Sequence, residues 1–379
     1  MSDRNRQVLN ELLKKPGNSY CADCKSEENV VWASCNLGIF LCQDCAGIHR
    51  SLGVDTSRVK SIKLDNWDDD QVMKMSELGN DVVNMKYEQH LPKYYKRPTK
   101  TDVEILRWQF IRAKYERKEF VYPDKQSPYS SNTKEGNLMK KGKHDKKYNQ
   151  RRFIINSKDN CLQYFNKEGP KGPKDTVPLD DLNVVFVPDK IGNPNGFQAS
   201  YLKNGTTRNL FLYCEDSKEA VDWFTAIRCA KLERRRLAFP DRNEDELCKE
   251  LTSNFLCEGY LSKRGPRNEP YRKRWFTLDR RKLMYFAEPL SPTPKGEVYI
   301  GHKDAGYYVG NSTKSNSDTL EFFLKTPERG YELKAESIED KELWIVALTT
   351  VINNPPTPQD IKMKYFLMFL HQKSLVTND

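Results

Sequence analysis

No apolar run in this chain reaches the ~18 residues needed to cross a bilayer. The longest aromatic-aliphatic stretch, Tyr365 to Leu370, is far shorter. The opening Met1-Ser2-Asp3-Arg4-Asn5-Arg6 lacks the apolar core of a secretory leader. A soluble protein that visits a membrane only at its surface is therefore expected. Six of the ten cysteines (Cys35, Cys161, Cys214, Cys229, Cys248 and Cys257) are scattered without the pairing pattern of a disulfide framework. That excludes a small extracellular scaffold and favours a reducing compartment. What is present fits packed domains: 379 residues exceed one core, and 37% hydrophobic with 11% aromatic residues is not the composition of a disordered chain. The net charge of +10 favours an anionic partner, whether nucleic acid, acidic protein or the inner membrane leaflet.

The remaining four cysteines form two pairs, Cys21-x-x-Cys24 and Cys42-x-x-Cys45, separated by 17 residues. Each pair can sit on a tight turn that aims two thiolates at one metal, and this spacing fits a tetrahedral four-thiolate zinc site. Buried reduced cysteines would account for the residue type but not for the paired spacing. One Zn2+ is expected, in a structural role, because four thiolates leave no open position for a water nucleophile. For the same reason His49 is expected to pack or hydrogen-bond rather than ligate.

Along the first block, 1–122, Val8, Leu9, Leu12 and Leu13 recur at helical spacing before Pro16-Gly17. Val59 to Leu64 alternates like a strand, and Asp68 to Leu78 reads as a helix with an acidic first turn. Asp102 to Tyr115 reads as another helix, with Val103, Leu106, Phe110 and Ala113 along one side. Residues 123–133 have linker composition. The remainder is duplicated. Gly136-x-Leu138-x-Lys140-x-Gly142 recurs as Gly259-x-Leu261-x-Lys263-x-Gly265, and Tyr148-x-x-Arg151-x-Phe153 as Tyr271-x-x-Arg274-x-Phe276. Trp223 and Trp344 follow in matching late helices, Lys218 to Leu232 and Glu339 to Ile352. One fold used twice is implied, with short strands closed by one helix. The expected organisation is multidomain α+β. A zinc domain, mostly helical with a small sheet, spans 1–122. Repeats follow at 134–236 and 255–354, joined by a connector at 237–254 with a short helix near Asp241 to Leu251. The chain closes with an amphipathic helix (Gln359 to Gln372) and tail within 355–379.

Residues 20–67 hold Cys21-Ala-Asp-Cys24, Trp32-Ala33-Ser34, Leu37-Gly38-Ile39-Phe40-Leu41-Cys42, Cys45-x-Gly47-Ile48-His49-Arg50 and Val59-Lys60-Ser61-x-x-Leu64-Asp65-x-Trp67. In order and detail this resembles the Arf GTPase-activating protein (Arf-GAP) domain. The repeats resemble pleckstrin homology (PH) domains, β-barrels each capped by a C-terminal helix. The whole chain resembles the Arf-GAPs with dual PH domains, or alpha-centaurins. The family pattern carries one residue fewer between the cysteine pairs, and the loop Lys25 to Val31 is the expected place of the extra one.

The resemblance implies that Arg50 is an arginine finger supplied in trans to an Arf GTPase in its GTP form. The chain is then a GTPase activator rather than an enzyme with its own substrate turnover. Trp32, Ile48 and Leu52 are expected to pack around the finger. Asp65 is left between orienting Arg50, contacting the partner, ending the strand in a turn, and capping the helix near Asp68. The resemblance also implies that Lys140, Lys141 and Arg151 of the first repeat and Lys263, Arg272 and Arg274 of the second surround a phosphoinositide. Phosphatidylinositol trisphosphate, or its soluble inositol polyphosphate headgroup, is the expected ligand. Asn149 replaces the first repeat's counterpart of Arg272, and Lys143, Lys146, Lys147 and Arg152 add charge there. Around the second site stand Arg264, Arg267 and Lys273. The chain is expected in the cytoplasm and recruited to the plasma membrane, with nuclear residence left open. Oligomeric state is unknown. Two other functions compete: a phosphoinositide-binding scaffold with little GAP activity, and, more remotely, a zinc-dependent nucleic-acid binder. No nucleic-acid partner is expected, because no groove-entering module accompanies the charge.

Overall fold

In a computed structural model of the chain, the described residues are 2–131, 133–143, 146–166, 172–265, 269–312, 319–357 and 360–361. The first domain opens with α1 (Ser2–Lys14), whose Leu9 and Leu12 pack on Phe40, Ile62, Trp67, Val72 and Met75. A three-stranded antiparallel sheet follows, made of β1 (Val30–Ser34), β2 (Ile39–Cys42) and β3 (Val59–Ser61) in the order β2-β1-β3. Between β2 and β3 lies α2 (Gln43–Ser51), and beyond them α3 (Asp69–Glu77), α4 (Asn80–Tyr87) and α5 (Glu104–Ile111).

Two sequence expectations change here. The strand read over Val59 to Leu64 stops at Ser61, because the Asp65 carboxylate accepts from the Ser61 N–H (2.6 Å) and the Ser61 hydroxyl from the Leu64 N–H (3.1 Å). Those bonds close a turn where alternation alone would continue the strand. The helix read over Asp102 to Tyr115 ends its α-helical part at Ile111 and widens into a π-turn over Arg112–Glu116. The turn's Lys114 and Tyr115 are buried.

The repeats share one topology. The first comprises β4 (Thr133–Lys141), β5 (Tyr148–Asn156), β6 (Cys161–Tyr164), β7 (Asp175–Pro178), β8 (Asn183–Phe186), β9 (Phe197–Lys203) and β10 (Thr206–Tyr213), in the order β7-β6-β5-β4-β10-β9-β8. A short α6 (Pro188–Ile191) precedes β9, and α7 (Ser217–Ala238) ends the repeat. After the connector helix α8 (Glu244–Lys249), the second repeat gives β11 (Cys257–Arg264), β12 (Tyr271–Asp279), β13 (Lys282–Phe286), β14 (Gly296–Tyr299), β15 (Tyr308–Asn311), β16 (Glu321–Lys325) and β17 (Gly330–Lys334), then α9 (Ile338–Asn353). Its sheet order, β14-β13-β12-β11-β17-β16-β15, copies the first. The repeated motifs have a packing reason. Trp223 and Trp344 are buried and meet Phe153 and Phe276 edge-on, with ring centroids 6.4 and 6.2 Å apart. A Cβ at Gly136 would stand 3.3 Å from the Trp223 ring, so the first strand keeps glycine where the helix tryptophan crosses it. The helix read over Gln359 to Gln372 lies outside the described residues except for Asp360 and Ile361.

The stretch with linker composition is packed. Tyr129 is buried and donates its hydroxyl to Asp222 Oδ1 (2.7 Å), while Ser127 Oγ donates to Asp222 Oδ2 (3.2 Å). Gln126 Nε2 donates to the carbonyls of His90 and Glu119, both at 3.0 Å. Phe110, Phe120 and Tyr129 share one core with Trp223, Phe224 and Ile227 of α7. The first domain and first repeat are therefore one packed body. Lys218 Nζ also donates to Asp222 Oδ2 (2.7 Å), so Asp222→Ala removes the shared acceptor of three donors. A loss of about 2–3 kcal/mol is expected, chiefly from stranding the buried Tyr129 hydroxyl, with Ser127 and Lys218 only half-buried. It should be read as a lower urea midpoint at unchanged slope.

The second repeat meets the first through polar bridges. The Glu297 carboxylate accepts from Thr207 N (2.8 Å) and Thr207 Oγ1 (2.9 Å), and Lys282 Nζ donates to Thr207 Oγ1 (2.7 Å). Among the described residues no helix is long and apolar enough to cross a membrane.

Candidate functional site

Cys21 and Cys24 lie on a turn closed by Cys21 N to Ser26 O (2.8 Å) and Lys25 N to Cys21 O (3.1 Å), with Lys25 at φ +60°. Cys42 ends β2 and serves as the N-cap of α2, which places Cys45 in the first helical turn. All four sulfurs are buried and lie within 4.8 Å of one another, with Cys24 and Cys42 Sγ 3.7 Å apart. A tetrahedral zinc with ~2.3 Å bonds sets sulfurs ~3.8 Å apart, so the donor set fits that ion. Hydrogen bonds from Cys21, Cys24 and Cys45 pull the Cys42 thiol far below the ordinary thiol range. Burial opposes ionisation of Cys21, yet hydrogen bonding from Cys24 brings it down to about 7. Hydrogen bonds to Cys21 push the Cys24 and Cys45 thiols the other way, upward, so the four sulfurs share their protons until a cation draws all four to thiolate, the form that binds metal. The strand pairing slips by one between Val30 and Trp32, and the Val31 carbonyl accepts from Ile62 N (3.0 Å) instead. This bulge lies at Val31, the last residue of the loop where the extra one is expected.

Arg50 lies in the last turn of α2 and is exposed, its guanidinium carbon 4.2 Å from the Trp32 ring centroid. Ile48 and Leu52 are buried. Of the three residues expected around Arg50, Trp32 lies against its guanidinium, while Ile48 and Leu52 belong to the buried core on which Trp32 packs. Asp65 is instead occupied with the turn after β3, and among the described residues no hydrogen bond or ion pair joins it to Arg50. The helix near Asp68 is capped by Asp68 itself, in a reciprocal box with Gln71.

Behind the cysteines lies a buried polar group that the sequence does not announce. Asp23, between Cys21 and Cys24, is 0% exposed, as are His49 and Lys114. Asp23 Oδ1 accepts from Lys114 Nζ (2.9 Å) and the Tyr115 hydroxyl (3.0 Å), and its Oδ2 lies 3.0 Å from His49 Nε2. Lys114 also pairs with Glu88 (2.7 Å), and Glu88 pairs with Arg97. Burial alone would raise the Asp23 pKa, but the Lys114 ammonium and the His49 ring outweigh it and hold the carboxyl below its ordinary range. His49 therefore hydrogen-bonds rather than ligates.

In the second repeat Lys263 stands directly across from Arg272, whereas in the first Lys140 faces Asn149. The register thus locates the missing cation. Lys263 is half-buried between the rings of Tyr285 (5.2 Å) and Tyr331 (5.9 Å). Burial, together with the nearby Arg329 and Arg274 charges, lowers its pKa. Arg329, which lies over Tyr331 at 4.3 Å, has no counterpart in the strand motif and was invisible to it. Two residues counted toward the site are committed elsewhere: Arg264 pairs with Glu332 (2.6 Å) and Lys273 with Glu336. Arg272 lies 3.4 Å from Glu269, while Arg274 spends one N–H on the Lys273 carbonyl (2.8 Å). Arg267 lies outside the described residues. A pocket of about 190 Å³ gathers Lys140, Lys141 and Lys143 of the first repeat with Lys174, Lys203 and Arg208, and is closed by Leu290 and Pro292 of the second. Lys140 lies over Tyr164 (5.2 Å), Arg151 stands in neighbouring β5, and Asp175 neutralises Lys203 (2.7 Å). Arg152 pairs with Glu135 (2.6 Å).

Comparison with known proteins adds the following. A family model described as a putative GTPase-activating protein for Arf matches residues 6–124, and a PH-domain model matches 132–231 and again 255–353. The human Arf-GAP with dual PH domain-containing protein 2 is 41% identical over 365 residues, covering 94% of this chain and 95% of that protein. Its mouse counterpart is 40% identical over 370 residues, with coverage of 94% and 95%. A probable ADP-ribosylation factor GTPase-activating protein of Arabidopsis thaliana is 46% identical over 123 residues, 32% of this chain and 50% of that protein. These names correct one expectation, the separation of such a chain from enzymes. A GTPase-activating protein accelerates a bond cleavage and leaves unchanged, so its contribution is itself catalytic. A group supplied in trans lowers the same barrier as one supplied in cis.

Proposed function

The chain belongs to the family of Arf-GAPs with dual PH domains, and from that premise we propose that Arg50 completes the active site of an Arf GTPase in its GTP form. A structural zinc on Cys21, Cys24, Cys42 and Cys45 would hold the turn and helix that present it. The observation that carries the reading is the exposed Arg50 guanidinium stacked on Trp32, 4.2 Å from the ring. An aromatic face holds the planar group in place while leaving its N–H fork free for phosphoryl oxygens. Hydrolysis spreads charge over the γ-phosphoryl oxygens, and a guanidinium supplied at that moment stabilises it.

The PH domains bind phosphoinositide, with the trisphosphate as the preferred headgroup, and carry the chain from the cytoplasm to the plasma membrane. Lys263, Arg272 and Arg274, with Arg329 added by the structure, supply convergent cations for clustered phosphates. Lys140, Lys141 and Arg151 make the first repeat the weaker site, since Asn149 stands where Arg272 does. The test is GTP hydrolysis by a panel of Arf proteins, with and without vesicles containing phosphatidylinositol trisphosphate. Stimulation that rises with the lipid supports the reading. No stimulation of any Arf in either condition would leave a lipid-binding scaffold. Either Lys263→Ala or Arg274→Ala is expected to weaken vesicle binding about 10- to 100-fold, the loss of one charge-assisted hydrogen bond or more. Lys140→Ala should weaken it less, as measured by vesicle sedimentation.

A further inference from the structure

The buried polar group behind the cysteines reaches both supports of Arg50. From Asp23, within the first cysteine turn, the contact runs to His49 Nε2 at 3.0 Å, and His49 is the residue immediately before Arg50 on α2. From His49 Nδ1 it passes to Ser57 Oγ (2.8 Å). Ser57 Oγ donates to Ser34 Oγ (2.8 Å), and Ser34 is the last residue of β1, the strand that carries Trp32. Ser34 in turn donates to Asn36 Oδ1 (2.9 Å). On its other side Asp23 is fixed by Lys114 Nζ (2.9 Å) and the Tyr115 hydroxyl (3.0 Å), which the π-turn after α5 brings inward. The His49 ring also rests against Tyr115, with centroids 4.9 Å apart.

We propose that Asp23, acting through His49 and Ser57, is a positioning residue for Arg50: one buried hydrogen-bonded chain sets the helix bearing the guanidinium against the strand bearing Trp32. The inference rests on the reading of Arg50 as the group supplied to the GTPase. Metal binding alone does not require this arrangement, because the four sulfurs fix the cysteine turn and the start of α2, while Arg50 stands in the last turn of that helix. A hydrogen-bonded chain through β1 registers that far end against Trp32. Misplacing a reacting group by ~1 Å can cost ~100-fold in rate, so the chain can govern catalysis without touching substrate.

The experiment is a double-mutant cycle on the full chain, read by single-turnover hydrolysis of Arf-GTP on phosphoinositide vesicles. Asp23→Asn keeps the side chain's size and removes its charge. Ser57→Ala cuts the link to β1 away from the cysteine turn and carries the test if Asp23→Asn fails to fold. Rates are normalised to zinc-loaded, folded protein. The expected result is a roughly 10- to 100-fold fall in the maximal rate with half-saturation shifted less than about threefold. In an Arg50→Ala background neither substitution should cause a further fall, because both act through Arg50. An unchanged maximal rate per folded chain, or an equal fall in both backgrounds, overturns the positioning role and leaves Arg50 in place. If Arg50→Ala alone leaves stimulation intact, the reading of Arg50 fails, and the positioning role with it.

Discussion

Arg50→Lys is expected to abolish Arf GTPase stimulation almost as completely as Arg50→Ala, by about 10³- to 10⁵-fold, the range for a finger in Ras-type systems. The charge survives the change to lysine but the planar fork does not. An ammonium presents three rotatable donors and lacks the face that lies on Trp32. The stability cost is small, because Arg50 is exposed and its described contact is the Trp32 ring at 4.2 Å. An exposed cation–π contact contributes about 0.5–1 kcal/mol, so the melting temperature and zinc content of both variants should stay close to wild type. Single-turnover hydrolysis at saturating chain measures the effect. A lysine variant within a few-fold of wild type would show that a point charge suffices and would remove the finger assignment.

The parts legible in the sequence are those whose physics is local or repeated. Two cysteine pairs at a metal-binding spacing need only a turn and a helix start, and the structure supplies both, with Cys42 at the N-cap of α2. The duplicated Gly-x-Leu-x-Lys and Trp motifs record a contact made twice, strand glycine against helix tryptophan. What stayed hidden depends on partners distant in the chain. Asp23 reads as filler between two cysteines until Lys114 and Tyr115 arrive from the π-turn after α5. Arg264 and Lys273 read as free cations until folding brings Glu332 and Glu336 beside them. Residues 123–133 have the polar, proline-containing composition of a tether, yet Tyr129 finds a buried carboxylate on α7. The one signal that could have flagged Asp23 is an acid between two thiolate ligands, a position where an unpaired charge would be costly.

Removing the zinc is expected to have the largest effect on stability, and it should spread unevenly. Structural zinc in small sites is associated with about 10–16 kcal/mol of apparent binding free energy, comparable to the whole stability of a domain. Stripping it with a chelator, or replacing Cys42 by serine, removes the bond that joins β2 and α2 to the first cysteine turn. The first domain should then lose cooperative structure. The loss cannot stop there, because Phe110, Phe120 and Tyr129 share a core with Trp223, Phe224 and Ile227 of α7. The second PH domain has its own core, built on Leu261, Phe276, Phe322 and Trp344 with no shared cluster among the described residues, and should keep its own melting transition. Amide hydrogen exchange measured before and after chelation separates the bodies. Protection should collapse over the first domain, weaken along α7, and persist over β11 to β13. Stimulation of Arf should vanish while vesicle binding through the second PH domain survives. Unchanged exchange in the first domain after metal removal would show that the fold stands without zinc, and that the four cysteines are packing residues.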